Sequence, residues 1–127
     1  MILVDTSVWI QHFRARDSTL TELLEGGAAL IHPFVIGELS LGNLRQRELV
    51  LRMLSRLPAA SVATNAEVLR FIDHNALFGR GVGYVDIHLL AAVRLTAGAS
   101  LWTHDKRLHG VAHQLGLAVT LPASSES

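Results

Sequence analysis

Short apolar runs alternate with helix-like segments along the whole of this chain. Residues 1–5, 28–32 and 99–103 are apolar runs of strand length. Between them lie helix-capping pairs such as Asp17-Ser18 and stop signals such as Gly26-Gly27. Strands separated by helices are typical of an α/β layer structure, so we predict a central, mostly parallel sheet flanked by helices.

The same signals divide the rest of the chain. Residues 79–83 predict a glycine-rich loop, and residues 61–63 and 117–121 predict two further strands, the first of them weak. Helices are predicted over residues 6–13, 19–25, 33–41, 44–56, 66–77, 84–97 and 106–115.

Length and composition restrict the class of protein. A chain of 127 residues, half of them hydrophobic and 17% charged, is expected to fold as one domain over residues 1–122, with a disordered polar tail at residues 123–127. The net charge of +0 means that a nucleic acid would need a local basic patch. The absence of cysteine excludes disulfides and thiolate metal sites. Without a signal-type segment or an 18-residue apolar stretch, we expect a soluble, cytoplasmic protein that does not bind membranes.

Four acidic residues lie within or beside apolar segments instead of in charged surface runs. Asp5 and Asp105 follow predicted strands, so both are expected at the carboxyl edge of the sheet, where α/β proteins bind ligands. Asp86 falls in the first turn of a predicted helix, where the helix dipole favours an anion. Glu38 falls in the middle of another helix. We therefore expect the first three to converge, and Glu38 to join them if the fold brings its helix close.

Convergence of four carboxylates would require compensation of their charge. Two carboxylates about 5 Å apart repel by about 3 kcal/mol at an effective dielectric constant of about 20, which gives about 20 kcal/mol over the six pairs. Buried salt bridges, shared protons or a bound metal would each relieve this repulsion. Oxygen ligands alone favour a hard cation, Mg²⁺ or Mn²⁺, over Zn²⁺. Such a cation activates water for in-line attack on a phosphodiester.

Four segments carry a resemblance to a known family. They are Ile2-Leu3-Val4-Asp5-Thr6-Ser7-Val8-Trp9-Ile10, the isolated Glu38, Gly81-Val82-Gly83-Tyr84-Val85-Asp86-Ile87-His88-Leu89-Leu90-Ala91-Ala92, and Leu101-Trp102-Thr103-His104-Asp105-Lys106-Arg107-Leu108. In this order and spacing they resemble a PIN-domain nuclease of the VapC type, over the chain from its first residue to about Leu121. The resemblance implies a three-layer PIN fold. It also implies a metal-dependent endoribonuclease that acts as the toxin of a type II toxin–antitoxin pair.

The resemblance also implies roles for individual residues. Asp5, Glu38, Asp86 and Asp105 match the acidic set that binds Mg²⁺ or Mn²⁺ in the family. Thr6, Ser7 and Thr103 match supporting hydroxyl residues. For Thr6 and Ser7 the alternative is a helix cap, and for Thr103 an ordinary β-branched strand residue. Cleavage by metal-activated water is expected to leave 5′-phosphate and 3′-hydroxyl ends.

Substrate and partners follow from the same resemblance. An RNA substrate would need a basic rim, for which Arg80, Lys106 and Arg107 are candidates, although each could be an ordinary solvated charge. A cognate VapB-type antitoxin is expected to lie along apolar helices around Trp9, Leu23 and Leu44 and to insert a cation among the acids. Homodimers are usual in the family.

Three alternatives use other chemistry. The fold could serve as a catalytically inactive binding module, although such a copy would be expected to lose some of the four acids. A phosphotransfer or phosphatase α/β domain also places aspartates at strand ends. A receiver would carry paired acids, and such a phosphatase an Asp-x-Asp sequence, neither of which is present at Asp5-Thr6-Ser7. His109 and His113 have a zinc-binding spacing but lack a third ligand, so solvent-facing histidines are the preferred interpretation.

Overall fold

A parallel three-stranded sheet forms the centre of the protein. The computed structural model describes residues 1–121, in which the strands are β1 (Ile2–Val4), β2 (Ala29–Leu30) and β3 (Ser100–Trp102). The strand order is β2-β1-β3, and both pairings are parallel. The predicted α/β class with a parallel central sheet is therefore confirmed.

Helices follow or precede each strand. Within residues 1–121, none of them is both long and apolar enough to span a membrane. Because α1, α3 and α7 each begin directly after a parallel strand, their first turns all lie at the carboxyl edge of the sheet. The seven helices in this part of the chain are α1 (Thr6–Arg14), α2 (Ser18–Glu25), α3 (Pro33–Ser40), α4 (Arg47–Ser55), α5 (Asn65–His74), α6 (Tyr84–Leu95) and α7 (Lys106–Gln114).

Helix α6 is the most deeply buried of these helices. Its seven consecutive residues 87–93 are all buried, whereas an ordinary surface helix buries only one stripe. In the strands, Leu3, Val4 and Leu101 are fully buried, as expected for a parallel sheet covered on both faces. Asp86 immediately precedes the buried stretch of α6 and is therefore held by a rigid part of the core.

Two predicted strands are wrong. Residues 61–63 and 117–121 form no regular strand. In each region the chain makes an isolated parallel bridge to the sheet instead, Ile31 with Ala59 and Leu101 with Ala118. In the first region, the amide of Ser61 turns to the Thr96 side-chain oxygen, 2.9 Å away, and so leaves the sheet. The β-strand propensity of these residues alone does not show that pairing with the sheet stops after one bridge.

Two helix starts differ from the prediction. Helix α4 begins at Arg47, not at residue 44, because Gln46 adopts a left-handed backbone conformation with φ of 51°. Helix α5 begins at Asn65, not at residue 66, because Thr64 caps it through a reciprocal capping box with Glu67. The predicted tail at residues 123–127 lies outside the described residues.

Candidate active site

The four acidic residues meet at the carboxyl edge of the sheet. Asp5 and Asp105 are the N-cap residues of α1 and α7, Asp86 is in the first turn of α6, and Glu38 is on α3. The pKa of Asp86 is raised to about 6, first by burial and then by the negative charges of Asp5, Asp105 and Glu38. Asp5, Asp105 and Glu38 are therefore each close enough to Asp86 to interact with it electrostatically, including Glu38, whose position the sequence could not establish.

Asp5 is the most buried of the four, with 5% of its surface exposed. Its Oδ2 atom accepts hydrogen bonds from Ser7 Oγ at 2.7 Å and from Thr103 Oγ1 at 2.8 Å, with the Ser7 amide at 3.4 Å. These donors compensate for part of the lost hydration of the carboxylate. The same capping bond shows that Asp5 itself, and not Thr6 or Ser7, caps α1.

A pair of hydroxyl groups joins the ends of β1 and β3. Ser7 Oγ and Thr103 Oγ1 lie 3.3 Å apart. Thr103 Oγ1 also accepts the Asp105 amide at 3.0 Å, and Ser7 Oγ accepts the His104 amide at 3.0 Å. Thr103, which is 6% exposed, is therefore more than a β-branched strand residue, because its hydroxyl holds the Asp5 side chain and the Asp105 main chain together.

Glu38 reaches the site from an exposed position on α3. Thr6 Oγ1 donates to Glu38 Oε1 over 2.6 Å. Because Thr6 is the first residue of α1 and follows Asp5 directly, this bond fixes the Glu38 carboxylate beside the end of β1. Thr6 on α1 thus orients the Glu38 carboxylate on α3.

Asp105 and Asp86 occupy helix starts of different kinds. Asp105 is exposed, and its Oδ1 caps α7 by accepting the Leu108 amide at 2.9 Å. Asp86 follows the N-cap residue Gly83, which supplies no side-chain cap. A Cβ atom at Gly83 would lie 4.0 Å from Asp86 Oδ2, so the loop at residues 79–83 runs close to this carboxylate.

The donor atoms of the site suit a hard cation, although the side chains are not gathered around one point. Among residues 1–121, no three His, Asp or Glu side chains are close enough together to hold one ion. Asp5, Glu38 and Asp105 each direct one oxygen to a hydroxyl or amide donor. Carboxylate and hydroxyl oxygens match the ligand preference of Mg²⁺ and Mn²⁺. The chemistry therefore fits such an ion, and joint coordination would require side-chain rotations.

Two of the three predicted rim residues, Lys106 and Arg107, directly follow Asp105 at the start of α7. Arg80, Lys106 and Arg107 are all exposed. The guanidinium of Arg107 rests on the backbone at Gly81, where an added Cβ atom would lie 2.7 Å from Nη1. Sequence reasoning missed this contact, and its only signal was the density of glycines in residues 79–83.

Two histidine assignments become clear. His109 and His113 are both exposed, with ring centroids 6.3 Å apart, which confirms that they face solvent. His32 is fully buried and caps α3, because its Nδ1 accepts the Phe34 amide at 3.0 Å. Burial, followed by the nearby His88, lowers the pKa of His32 to about 4. No local pattern predicts this cap, since histidine is not among the preferred N-cap residues.

A groove of about 710 Å³ adjoins the site between α1, the end of α3 and the start of α4. Glu38 lines it, together with Ile10, Phe13, Leu44 and Val50. Trp9 is fully buried and belongs to the core, so a partner on α1 would contact other side chains. The exposed apolar side chains on α1 are those of Ile10 and Phe13, at 41% and 37%.

Comparison with known proteins identifies the family. The family model described as PIN domain matches residues 2–114. The protein named Ribonuclease VapC32 from Mycobacterium tuberculosis (strain CDC 1551 / Oshkosh) is 51% identical over 119 residues, which cover 94% of this chain and 96% of that protein. Ribonuclease VapC32 from the strain ATCC 25618 / H37Rv matches to the same extent. The chain therefore belongs to the PIN domain family.

Proposed function

We propose that this protein is a metal-dependent endoribonuclease that acts as the toxin of a type II toxin–antitoxin pair. The observation that carries the proposal is the meeting of four carboxylates from four separate elements at the carboxyl edge of the sheet. The 51% identity to a protein named a ribonuclease supports RNA as the substrate. The presence of all four acids counts against an inactive binding module of the same fold.

The four acids are proposed to bind Mg²⁺ or Mn²⁺. When bound, such a cation supplies an activated water and offsets the charge of a phosphodiester undergoing in-line attack. Asp5 offers a fixed ligand, because Ser7 and Thr103 both hold its Oδ2 and neither of these bonds engages Oδ1. Glu38 is exposed, and Thr6 holds its Oε1 beside the end of β1, so its second oxygen is available to a cation at the site. Asp86 releases its proton near pH 6 and is available as a ligand above that value.

RNA binding is proposed to depend on local cations because the net charge is +0. Arg80, Lys106 and Arg107 are exposed, and they are proposed to contact phosphates on either side of the cleaved bond. Hydrolysis by a metal-activated water needs no covalent nucleophile and would leave 5′-phosphate and 3′-hydroxyl ends. The unit proposed to carry this activity is a single domain of residues 1–122 in a cytoplasmic protein.

The proposed partner is a VapB-type antitoxin. The groove lined by Ile10, Phe13, Leu44 and Val50 offers apolar contacts to an amphipathic segment. Glu38 stands in the same groove, so an arginine or lysine from that segment would meet the acidic site directly. A homodimer is proposed from the family relationship.

Cleavage of an RNA panel by the purified full chain tests this function. Reactions contain Mg²⁺, Mn²⁺ or EDTA, and the products are analysed for their end groups. We expect cleavage with metal only, and loss of at least about a thousandfold in Asp5→Asn and Asp86→Asn, since each removes a charged metal ligand. Asp73→Asn, an exposed acid on α5, is the matched control and should retain full activity. Activity in EDTA, or full activity in both site variants, would rule the proposal out.

A further inference from the structure

The side chain of Arg107 occupies space that only a glycine leaves open. Gly81 has a φ of +75°, and an ideal Cβ atom there would lie 2.7 Å from Arg107 Nη1 and 3.4 Å from both Cδ and Cζ. Distances under 3.0 Å are sterically forbidden for a carbon atom. The end of the arginine side chain therefore lies directly against the backbone of the loop at residues 79–83.

Short stretches of chain connect this contact to two of the acids. Gly83, two residues after Gly81, approaches the carboxylate of Asp86, and Arg107 is two residues after Asp105. A Cβ atom placed on Gly81 would lie 2.7 Å from Arg107 Nη1, and one placed on Gly83 would lie 4.0 Å from Asp86 Oδ2. Two residues of chain span at most about 7 Å, so these two side-chain atoms are no more than about 17 Å apart. A short stretch of extended RNA can bridge that distance. Arg107 is exposed, so its guanidinium is accessible to a ligand.

We propose that Gly81 is a positioning residue that holds the Arg107 guanidinium in place to bind an RNA phosphate near the one that is cleaved. The inference rests on the proposed ribonuclease function. A long arginine side chain loses rotamer entropy when it binds a ligand, and contact with the loop removes part of that loss in advance. The planar fork of guanidinium donors matches phosphate oxygens. A fixed cation here also offsets the repulsion between the RNA backbone and the four carboxylates.

Gly79 provides a matched control for the strain of a left-handed backbone. Its φ is +72°, close to that of Gly81, but nothing lies within 4 Å of a Cβ atom added there. Gly79→Ala therefore introduces the backbone strain alone. Gly81→Ala introduces the same strain and also displaces Arg107. Because the displaced atoms are the far end of a flexible side chain, the extra methyl group should alter the position of the guanidinium far more than the stability of the fold.

The experiment measures single-turnover cleavage, in Mg²⁺, of the RNA that the panel shows to be cut fastest. Rates are measured against protein concentration for Gly81→Ala, Gly79→Ala, Arg107→Gln and the Gly81→Ala/Arg107→Gln double variant. We expect the half-saturating concentration to rise about tenfold in Gly81→Ala and Arg107→Gln, as for loss of one charge-assisted hydrogen bond. The maximal rate should stay within about twofold of the unsubstituted protein. Gly79→Ala should resemble the unsubstituted protein.

Two further readouts separate positioning from a structural role. The double variant should be no worse than Arg107→Gln, because Gly81 acts only through that side chain. The slope of log half-saturation against log salt should fall by about 0.7 in Arg107→Gln, the value for one phosphate contact on a single strand. If Gly81→Ala fails to fold, the inference is judged on Arg107→Gln, by its salt slope and its half-saturating protein concentration.

Equal half-saturating protein concentrations in Gly81→Ala and Gly79→Ala would overturn the inference. So would an unchanged salt slope in Arg107→Gln, or a half-saturating concentration in the double variant that adds the effects of the two single substitutions. Failure of the ribonuclease proposal would be seen separately, because the unsubstituted protein would then not cut RNA in a metal-dependent way.

Discussion

Thr103 Oγ1 donates a hydrogen bond to Asp5 Oδ2 over 2.8 Å, although the two residues are 98 positions apart in the chain. The same oxygen accepts the main-chain amide of Asp105 at 3.0 Å. One hydroxyl group at the end of β3 therefore fixes the acid at the end of β1 and the acid that caps α7. The geometry of two of the proposed metal ligands depends on it.

Thr103→Val should therefore weaken both stability and cleavage. Valine keeps the shape of threonine but leaves the 5%-exposed Asp5 without one donor and the Asp105 amide without an acceptor. We expect a loss of about 1–3 kcal/mol in the free energy of unfolding, measured by urea denaturation. The rate of RNA cleavage should fall in parallel. Thr103→Ser retains the hydroxyl and should preserve most of both quantities; if the valine and serine variants behave alike, the hydroxyl has no such role.

The Thr6–Glu38 bond gives a different expectation, because it lies at an exposed position. Thr6→Val removes the 2.6 Å bond to Glu38 Oε1, which should change the free energy of unfolding by no more than about 1 kcal/mol. Glu38 would then sample several rotamers, so cleavage should fall about tenfold or more. Thr6→Ser serves as the control in the same cleavage assay. A loss of stability as large as that of Thr103→Val would contradict this assignment.

Asp86 is expected to be a source of instability in the metal-free protein. Its pKa is raised to about 6 from 3.8, chiefly by burial and then by Asp5, Asp105 and Glu38. The folded state therefore holds this proton more tightly than the unfolded state, and the resulting stabilisation is lost as the pH rises from about 4 through 6. Asp86→Asn should be more stable than the unsubstituted protein at pH 7.5, by about 1–2 kcal/mol after allowance for partial solvent exposure.

Thermal unfolding in EDTA between pH 4 and 8 measures this effect. The difference in Tm between Asp86→Asn and the unsubstituted protein should disappear as the pH falls toward 4. Asp73→Asn, on the exposed face of α5, should show no such difference at any pH. A constant advantage of Asp86→Asn across the range would mean that burial and charge repulsion are not its cause.

The sequence predicted the elements of the site better than the contacts between them. Asp5, Asp86 and Asp105 were identifiable because strand ends and helix starts are local features, and a parallel sheet brings strand ends to one edge. Glu38 was different: a mid-helix acid gives no local sign of its direction, and its approach depends on how α3 packs after β2. The hydrogen bond from Thr6 links residues 32 positions apart, which no local pattern encodes.

The wrong predictions have a related physical origin. Residues 61–63 and 117–121 have strand-like composition, but whether an edge strand forms depends on its partner and not on its own sequence. The contact between Gly81 and Arg107 could not be predicted, because it joins a loop to a helix 26 residues further along the chain.

Metal binding should be visible without any RNA, as stabilisation that depends on pH. A cation that binds only the folded state stabilises it by about 2.7 kcal/mol at a concentration of 100 times Kd. Because Asp86 holds a proton up to about pH 6, Mg²⁺ or Mn²⁺ must displace that proton at lower pH. The apparent metal affinity should therefore fall about tenfold for each pH unit below 6 and level off above pH 7.

Isothermal titration calorimetry at pH 5, 6, 7 and 8 measures the metal affinity, and the shift in Tm at the same pH values measures the stabilisation. Asp5→Asn should lose the metal-induced shift, Asp86→Asn should lose its dependence on pH in this range, and Asp73→Asn should keep both. A metal-induced shift that is equal in all four proteins would place the cation elsewhere and remove these carboxylates from its coordination.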